Sequence, residues 1–145
     1  KAARPAVDVL QGSDNPHLSL TTSDDGAGET VPGLIAMRFA APIFFGNAQT
    51  LSAAIRRAVR EAPNPVSAFV LDMEGVTDVD VTGAEALAKE LQWLQGKGIT
   101  FAYSRVRPQL HANLARMHLL QGHHIFETNR AAVAALRPGS ATESG

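Results

Sequence analysis

The stretch "VSAFVLDMEGVTDVDVTGAEALAKELQWLQGKGITFAYSRV", residues 66–106, contains one complete pattern of strand, helix and strand. Residues 66–73 form a short, bounded apolar run, which is typical of a central buried strand. Apolar residues then recur at helical spacing from Ala84 to Leu94, and residues 99–106 predict a second strand. A strand, a helix and a strand in this order predict two parallel strands joined by a right-handed crossover. The stretch therefore predicts an α/β fold with a parallel sheet.

The same alternation continues on both sides of this stretch. Upstream, residues 33–39 predict a strand, and Asn47 is a good N-cap for the helix that follows. Downstream, Pro108 opens a third helix that is expected to close at Gly122, and a short extended piece leads to a final helix capped by Thr128. The whole pattern predicts a central, mostly parallel β-sheet flanked by α-helices.

The ends of the chain differ in composition from its middle. Residues 1–30 mix Pro, Asp, Ser, Thr and Gly, so we expect a flexible linker with one edge strand at residues 17–20. The folded domain is expected at residues 31–137, and residues 138–145 are expected to be a disordered tail. The chain begins at Lys1 and not at a methionine, which suggests a piece of a longer protein.

Composition excludes several classes of function. The chain has 145 residues, which fits one domain, and no cysteine, which excludes disulfides and thiolate chemistry. Its 13 basic and 14 acidic residues give no reason to expect a nucleic-acid partner. The longest apolar stretch, residues 39–46, is much shorter than the ~20 residues of a membrane span. A cytoplasmic location is therefore the default expectation.

The string "DVDVTG", residues 78–83, permits an enzymatic interpretation. Its D-x-D-x-T spacing is that of haloacid-dehalogenase-like phosphatases, in which the first carboxylate, here Asp78, would attack a phosphoryl group with the help of Mg²⁺. Such a metal site needs further acidic ligands, and beyond Glu90 the only carboxylates are Glu127 and Glu143. The sequence therefore favours a protein without enzymatic activity, and a magnesium-dependent phosphatase is the weakest alternative.

A structural interpretation of the same string is a helix cap. Thr82 and Glu85 have the spacing of a capping box, in which the two side chains accept hydrogen bonds from otherwise unpaired backbone N–H groups. This interpretation explains Thr82 and Glu85 but explains Asp78 and Asp80 less well, since one acidic group near the positive helix end would suffice.

A third interpretation comes from a family resemblance. Residues 69–106 resemble the central segment of STAS domains, in which an apolar strand ending in Asp leads to a D-x-[ST]-G turn, a helix and another strand. "VPGLIAMRFAAPIFFGNAQ", residues 31–49, is similar to the opening of the STAS domain in sulfate permease (SulP) family anion transporters. "IFETNRAAVAAL", residues 125–136, resembles the closing helix of those domains.

The resemblance implies a regulatory domain on the cytoplasmic side of a SulP-type transporter. Its partner would be the transmembrane domain of the same protein, which docks onto it, and a regulatory protein or kinase is a further expected partner. In the other STAS branch, the anti-sigma factor antagonists, a serine at the position of Thr82 is phosphorylated. The resemblance thus makes Thr82 a candidate phospho-acceptor, and a free-standing antagonist switched at Thr82 is the alternative.

The resemblance also implies binding of a purine nucleotide, GTP, GDP or ATP, with no required cofactor and no metal. No Walker-type loop is present, so the expected site is the start of the second helix together with the "FFGN" turn beside it. The candidate ligand-binding residues are Phe45, Gly46, Asn47, Asp78, Asp80, Thr82 and Gly83.

Two further groups of side chains attract attention. The histidines at 111, 118, 123 and 124 are expected to face solvent, since no cysteine or aspartate lies near them in the sequence. The arginines at 56, 57 and 60 form a basic helix face, which is expected to be solvated and is able to meet anionic lipid or an acidic partner. Trp93 is expected to lie in the core or an interface.

Overall fold

A computed structural model describes residues 6–12, 21–22 and 28–139 of the chain. Within these residues the strands are β1 (Ala6–Gln11), β2 (Thr21–Thr22), β3 (Leu34–Ala40), β4 (Ala68–Asp72), β5 (Thr100–Ser104) and β6 (His124–Phe126). The helices are α1 (Phe45–Glu61), α2 (Val81–Gly96), α3 (Pro108–Arg116) and α4 (Asn129–Leu136).

The described strands form one sheet in the order β2-β1-β3-β4-β5-β6. Strands β3, β4, β5 and β6 are parallel to their neighbours, whereas β1 is antiparallel to both β3 and β2. The prediction of an α/β fold with a central, mostly parallel sheet is confirmed. Because the parallel strands all end at one edge, the loops that follow β3, β4 and β5 gather there.

Helices cover both faces of the sheet. Successive side chains of a strand point to opposite faces, so Ile35 and Met37 pack with α1, α2 and α3, whereas Leu34 and Ala36 pack with α4. Every residue of β4 is buried, as predicted for a central strand. The larger of the two cores therefore lies between the sheet and the first three helices.

Strand β1 corrects the expected linker at residues 1–30. Ala6–Gln11 pairs with β3, and Val9 and Leu10 are 0% and 1% exposed. The linker prediction is wrong for this segment because pairing with a strand about 30 residues later, which local composition does not reveal, buries its apolar side chains. The edge strand expected at residues 17–20 lies outside the described residues.

The ends of two helices also differ from prediction. Helix α1 begins at Phe45, so Asn47 is not its N-cap; the Asn47 amide instead donates to the Pro42 carbonyl at 2.6 Å. Helix α3 ends at Arg116 and not at Gly122, because the chain turns through a left-handed conformation at His118 (φ 61°). The predicted cap of the final helix is confirmed, since the Thr128 hydroxyl accepts from the Ala131 N–H at 3.0 Å.

Candidate functional site

The loops after β3 and β4 meet at the carboxyl edge of the sheet. The Ile43 N–H donates to the Asp78 carbonyl at 2.9 Å, and the Asp80 N–H donates to the Ile43 carbonyl at 3.3 Å. These two bonds form an isolated parallel bridge between Ile43 and Val79. The structure therefore places the first turns of α1 and α2 side by side, the arrangement that the sequence predicts for the "FFGN" turn and the start of the second helix.

Gly83 allows this close approach. A Cβ atom at position 83 would lie 1.8 Å from the carbonyl oxygen of Ile43, a distance that no side chain tolerates. Gly46 is different, since a Cβ atom there would meet nothing within 4 Å. Of the two glycines among the candidate residues, only Gly83 is thus required by packing.

The cap of α2 corrects the predicted capping box. Asp80 is the N-cap, and its carboxylate accepts from the Gly83 N–H at 2.7 Å. Because the helix starts at Val81, Thr82 is its second residue, too far into the first turn to serve as the cap. Thr82 is exposed, and in the described part of the chain no hydrogen bond of its hydroxyl is seen.

Asp78 and Asn47 stabilise the two loops. One carboxylate oxygen of Asp78 accepts from the Val79 N–H at 2.8 Å and from the Asn113 amide of α3 at 3.2 Å. The Asn47 amide closes its own loop onto Pro42. Both side chains hold the backbone of the site in place.

Three apolar side chains around Thr82 are exposed. Phe45 is 73% exposed, Val81 69% and Phe44 40%. Phe44 and Phe45 start α1, and Val81 starts α2, so the side chains belong to adjacent helix ends. We call Phe44, Phe45, Val81 and Thr82 the α1/α2 tip. Sequence reasoning selected Phe45 and Thr82 but missed Phe44 and Val81, which carry no motif and are revealed only by their exposure.

A groove of about 660 Å³ runs from the α1/α2 tip along the two helices. Phe45 and Thr82 stand at its mouth, and its walls combine small residues with charged ones. The remaining lining residues are Ala48, Gln49, Ser52, Ala53, Arg56, Glu85, Ala86, Lys89 and Glu90. Its volume lies within the range of about 300–1,000 Å³ that small-molecule sites occupy.

The family model that matches this chain is described as the STAS domain and covers residues 28–132. This chain belongs to the STAS domain family. The family resemblance inferred from residues 31–49, 69–106 and 125–136 is confirmed.

The relatives of this STAS domain carry transporter names. A Mycobacterium tuberculosis protein named "Probable sulfate transporter" is 37% identical over 110 residues, which cover 74% of this chain and 20% of that protein. An Arabidopsis thaliana protein named "Probable sulfate transporter 3.5" is 26% identical over 119 residues, covering 82% of this chain and 19% of that protein. The chain thus spans about a fifth of the length of these relatives.

Solved structures share the fold of this STAS domain. The murine Solute Carrier 26 family member A9 anion transporter superposes with a TM-score of 0.68 at 15% identity, over 90% of this chain and 22% of that one. An anti-sigma-factor antagonist (STAS) domain protein from Planctomyces limnophilus gives a TM-score of 0.56 at 18% identity, over 70% of this chain and 89% of that one. None of the helices described here has the length and apolarity needed to cross a bilayer.

Arg56 and Glu90 join α1 to α2 at the groove. Arg56 donates to Glu90 through Nε at 2.8 Å and Nη2 at 3.3 Å. Glu90 is only 4% exposed, so its charge requires this partner. The hydrogen bond to Glu90 raises the pKa of Arg56, and the charge of the carboxylate adds to that effect. The pair therefore fixes the distance between the two helices of the STAS domain.

A second polar cluster, which sequence reasoning missed, lies under α4. The Asp72 carboxylate is 0% exposed and accepts from Arg38 Nε at 3.1 Å, Asn129 Nδ2 at 2.8 Å and the Glu74 N–H at 2.9 Å. The Ser104 hydroxyl donates to the Asn129 side-chain oxygen. We call Arg38, Asp72, Ser104 and Asn129 the Asp72 cluster. Its only sequence signal is an Asp at the end of an apolar strand.

The histidines do not form a metal site in the described residues. No group of three or more His, Cys, Asp or Glu side chains lies close enough there to hold an ion. His123 departs from the predicted solvent-facing position: it is half-buried, with its ring edge-on to Phe101 at 5.3 Å and to Tyr103 at 6.1 Å. Burial lowers the pKa of His123 because the charged imidazolium loses solvation.

Proposed function

We propose that this STAS domain is the regulatory domain of a SulP-type sulfate or anion transporter and lies on the cytoplasmic side of the membrane. It acts by docking through the α1/α2 tip, without catalysing a reaction. The observation that carries the proposal is the exposure of Phe45 (73%) and Val81 (69%) next to the exposed Thr82. Relatives named sulfate transporters, of which the chain spans about a fifth, support the assignment.

The energetics of the tip favour docking. Exposed Phe and Val side chains gain about 1.5–3 kcal/mol each when a partner removes them from water. Phe45 and Val81 begin two helices that the Gly83 contact and the Arg56–Glu90 pair hold together. A partner would therefore meet a preorganised surface and would lose little free energy in ordering it. We expect the transmembrane domain of the same protein to be that partner.

Asp78 and Asp80, the carboxylates beside the α1/α2 tip, support a binding role of this surface better than an enzymatic one. Asp80 is engaged as the cap of α2, and one oxygen of Asp78 holds Val79 and Asn113. Among the residues described, Asp78 keeps one unengaged oxygen, but a carboxylate nucleophile of this kind also works beside a cation that further carboxylates hold, and Asp80 is already occupied as the cap. The phosphatase alternative would make Asp78 essential, and Mg²⁺-dependent phosphatase turnover that disappears in Asp78→Asn would revive it.

Phosphorylation of Thr82 is the second proposal for the same surface. The hydroxyl is exposed on the second residue of α2, where a phosphate would be attracted by the positive helix end and repelled by Asp78 and Asp80. Close to two negative charges would then stand between Phe45 and Val81 and weaken apolar docking. The fold shared with anti-sigma-factor antagonist structures supports this alternative, in which a kinase is the partner.

Nucleotide binding is the third part of the proposal. The groove of about 660 Å³ has room for GTP, GDP or ATP, and Phe45 at its mouth offers an exposed ring to a purine. Asp80 already accepts from Gly83, and Arg56 is paired with Glu90, so we expect the phosphates near Lys89 instead of at the helix start. Amide chemical-shift mapping tests this directly: perturbations at Phe45, Thr82 and Lys89 are expected, and their absence at millimolar nucleotide would refute it.

The docking proposal is tested in the full-length protein that carries this chain. Phe45→Ser combined with Val81→Ser is expected to change anion uptake at unchanged expression, because the docking surface loses its apolar contacts. Ile125→Ser is the matched control, since Ile125 is also an exposed large apolar residue (37%) but lies on β6. Parental uptake in the Phe45 and Val81 double variant would contradict the proposal.

A further inference from the structure

Three cations surround the indole ring of Trp93. The guanidinium carbons of Arg56 and Arg60 lie 4.9 and 5.9 Å from the ring centroid, and the Lys97 ammonium lies 5.3 Å from it. Arg60 is in the last turn of α1 and Lys97 is the C-cap of α2, so two helices contribute. We call Arg56, Arg60, Trp93 and Lys97 the Trp93 patch.

The charge of the Trp93 patch is only partly neutralised. Arg56 is paired with Glu90 and does not need another anion. In the described ranges, neither Arg60 nor Lys97 lies within salt-bridge distance of a carboxylate, whereas the neighbouring Arg57 pairs with Glu61. The patch therefore has two net positive charges beside an indole.

Helix electrostatics explain part of this arrangement. Cations near the C-terminal ends of α1 and α2 interact favourably with the helix dipoles, which accounts for Arg60 and Lys97 singly. The dipoles do not account for a half-exposed indole that lies within about 6 Å of both cations. External anions would neutralise the two positive charges, which no carboxylate of the described residues pairs.

We propose that the Trp93 patch binds the anionic headgroups of a lipid bilayer. Arg60 and Lys97 would contact phosphate groups while their aliphatic stems, with the Trp93 ring, lie at the headgroup level, where Trp, Arg and Lys are favoured. A bilayer fits better than an acidic protein because the indole prefers an interface with one wet and one apolar side. That a bilayer lies near the patch rests on the proposed attachment to a transporter. The affinity of the patch for anionic headgroups does not depend on that proposal.

The Trp93 patch is separate from the α1/α2 tip. Trp93 lies about 16 Å along α2 from Thr82, from the rise of 1.5 Å per residue in a helix. The tip presents exposed apolar side chains, whereas the patch presents cations. One domain could therefore meet a protein at one end of its α1 and α2 pair and a membrane surface at the other.

Vesicle binding of the 145-residue chain tests the proposal. Trp93 is the only tryptophan, so its fluorescence reports on the patch without any label. Vesicles of phosphatidylcholine with phosphatidylglycerol are expected to shift the emission to the blue and to sediment the protein, whereas phosphatidylcholine alone is not. Salt at about 1 M, where the Debye length is about 3 Å, is expected to release the protein.

Charge variants distinguish vesicle binding through the Trp93 patch from binding through the overall charge of the chain. Arg60→Gln and Lys97→Gln are each expected to weaken sedimentation about 5-fold and together about 25-fold, from roughly 1 kcal/mol for each cation at an anionic surface. Arg116→Gln is the matched control, because it removes one exposed positive charge from α3 and is expected to leave binding unchanged. An equal loss in Arg116→Gln would overturn the assignment to the patch.

Other outcomes would also overturn the proposal. Equal binding to neutral vesicles would exclude an electrostatic contact, and no binding to either kind of vesicle would exclude a membrane surface. The same fluorescence shift with inorganic phosphate alone would indicate a site for a small anion, and with polyglutamate alone an acidic protein partner. The proposed function is tested by anion uptake with the Phe45 and Val81 variants, and membrane binding is tested with vesicles. Failure of one proposal is therefore distinguishable from failure of the other.

Discussion

The Asp72 cluster and the α1/α2 tip lie at the same edge of the same sheet but differ in burial and in hydrogen bonding. Asp72 is 0% exposed and accepts hydrogen bonds from Arg38, Asn129 and a backbone N–H. Phe45 at the tip is 73% exposed, and Thr82 has a free hydroxyl in the described structure. Both regions follow parallel strands, where ligands of α/β proteins commonly bind.

The difference shows that position at the carboxyl edge does not by itself make a functional site. A buried carboxylate with all its partners in place fixes α4 to the sheet, because Asn129 is the first residue of that helix. Exposed apolar side chains on a fixed backbone instead stabilise a complex when a partner buries them. Substitutions in the first region should therefore change stability, and substitutions in the second should change binding.

The sharpest contrast is expected between Asp72→Ala and Asp78→Ala. Loss of Asp72 leaves the buried Asn129 amide without its acceptor and also removes the charge-assisted bond from Arg38, so it should lower the free energy of unfolding by about 3–5 kcal/mol. Asp78 is exposed and should cost about 1 kcal/mol when replaced by Ala. Urea unfolding of the two variants measures both values, and similar losses would break the distinction between the regions.

The two glycines beside the α1/α2 tip are expected to differ in how much their replacement by Ala changes the free energy of unfolding. Gly83→Ala is expected to cost about 1–3 kcal/mol, because the new Cβ would collide with the Ile43 carbonyl and part the two loops. Gly46→Ala meets open space in the first turn of α1 and should be neutral or stabilise by up to about 1 kcal/mol. Thermal or urea unfolding distinguishes the pair; a neutral Gly83→Ala would show that the loops do not need this contact.

The caps of α2 and α4 provide a smaller test. Asp80→Ala and Thr128→Ala each remove a side-chain acceptor from a helix start and should each lower the free energy of unfolding by about 1 kcal/mol. Thr82→Ala should not, because Thr82 is not the cap. If Thr82→Ala costs as much as Asp80→Ala in urea unfolding, the assignment of the cap is wrong.

The smallest stability effect is expected from a charge at position 82. Thr82→Glu places a carboxylate on an exposed residue of the first helical turn, where attraction to the helix end and repulsion from Asp80 oppose each other. We expect a change within about 0.5 kcal/mol in urea unfolding. A larger loss would mean that residue 82 contributes to the fold and is poorly suited to a reversible switch.

Local sequence patterns predicted the parts of the fold that depend on local physics. The apolar run at 66–73 and the helical spacing after Ala84 gave the central strand and α2, and Pro108 marked the start of α3. Strand β1 was missed because its pairing partner, β3, is distant in sequence. Non-local pairing of that kind leaves little trace in local composition.

The candidate site was predicted less completely than the fold. The "D-x-[ST]-G" string located the turn, but whether Asp80 or Thr82 caps α2 depends on the residue at which the helix begins, a boundary that sequence does not fix. Phe44 and Val81 carried no motif, and only their exposure in the structure reveals them. The Asp72 cluster joins three strands to α4 through side chains far apart in sequence, so the local pattern marks only Asp72 and not its partners.

Cysteine labelling tests docking at the α1/α2 tip most directly in the proposed full-length transporter, with any cysteine outside this chain replaced, because this chain has none of its own. We predict that Phe45→Cys reacts with a maleimide at least about 10-fold more slowly in the full-length protein than in the 145-residue chain, which corresponds to about 1.4 kcal/mol of docking. Ile125→Cys should react at the same rate in both. Equal labelling of Phe45→Cys in the two proteins would contradict the account.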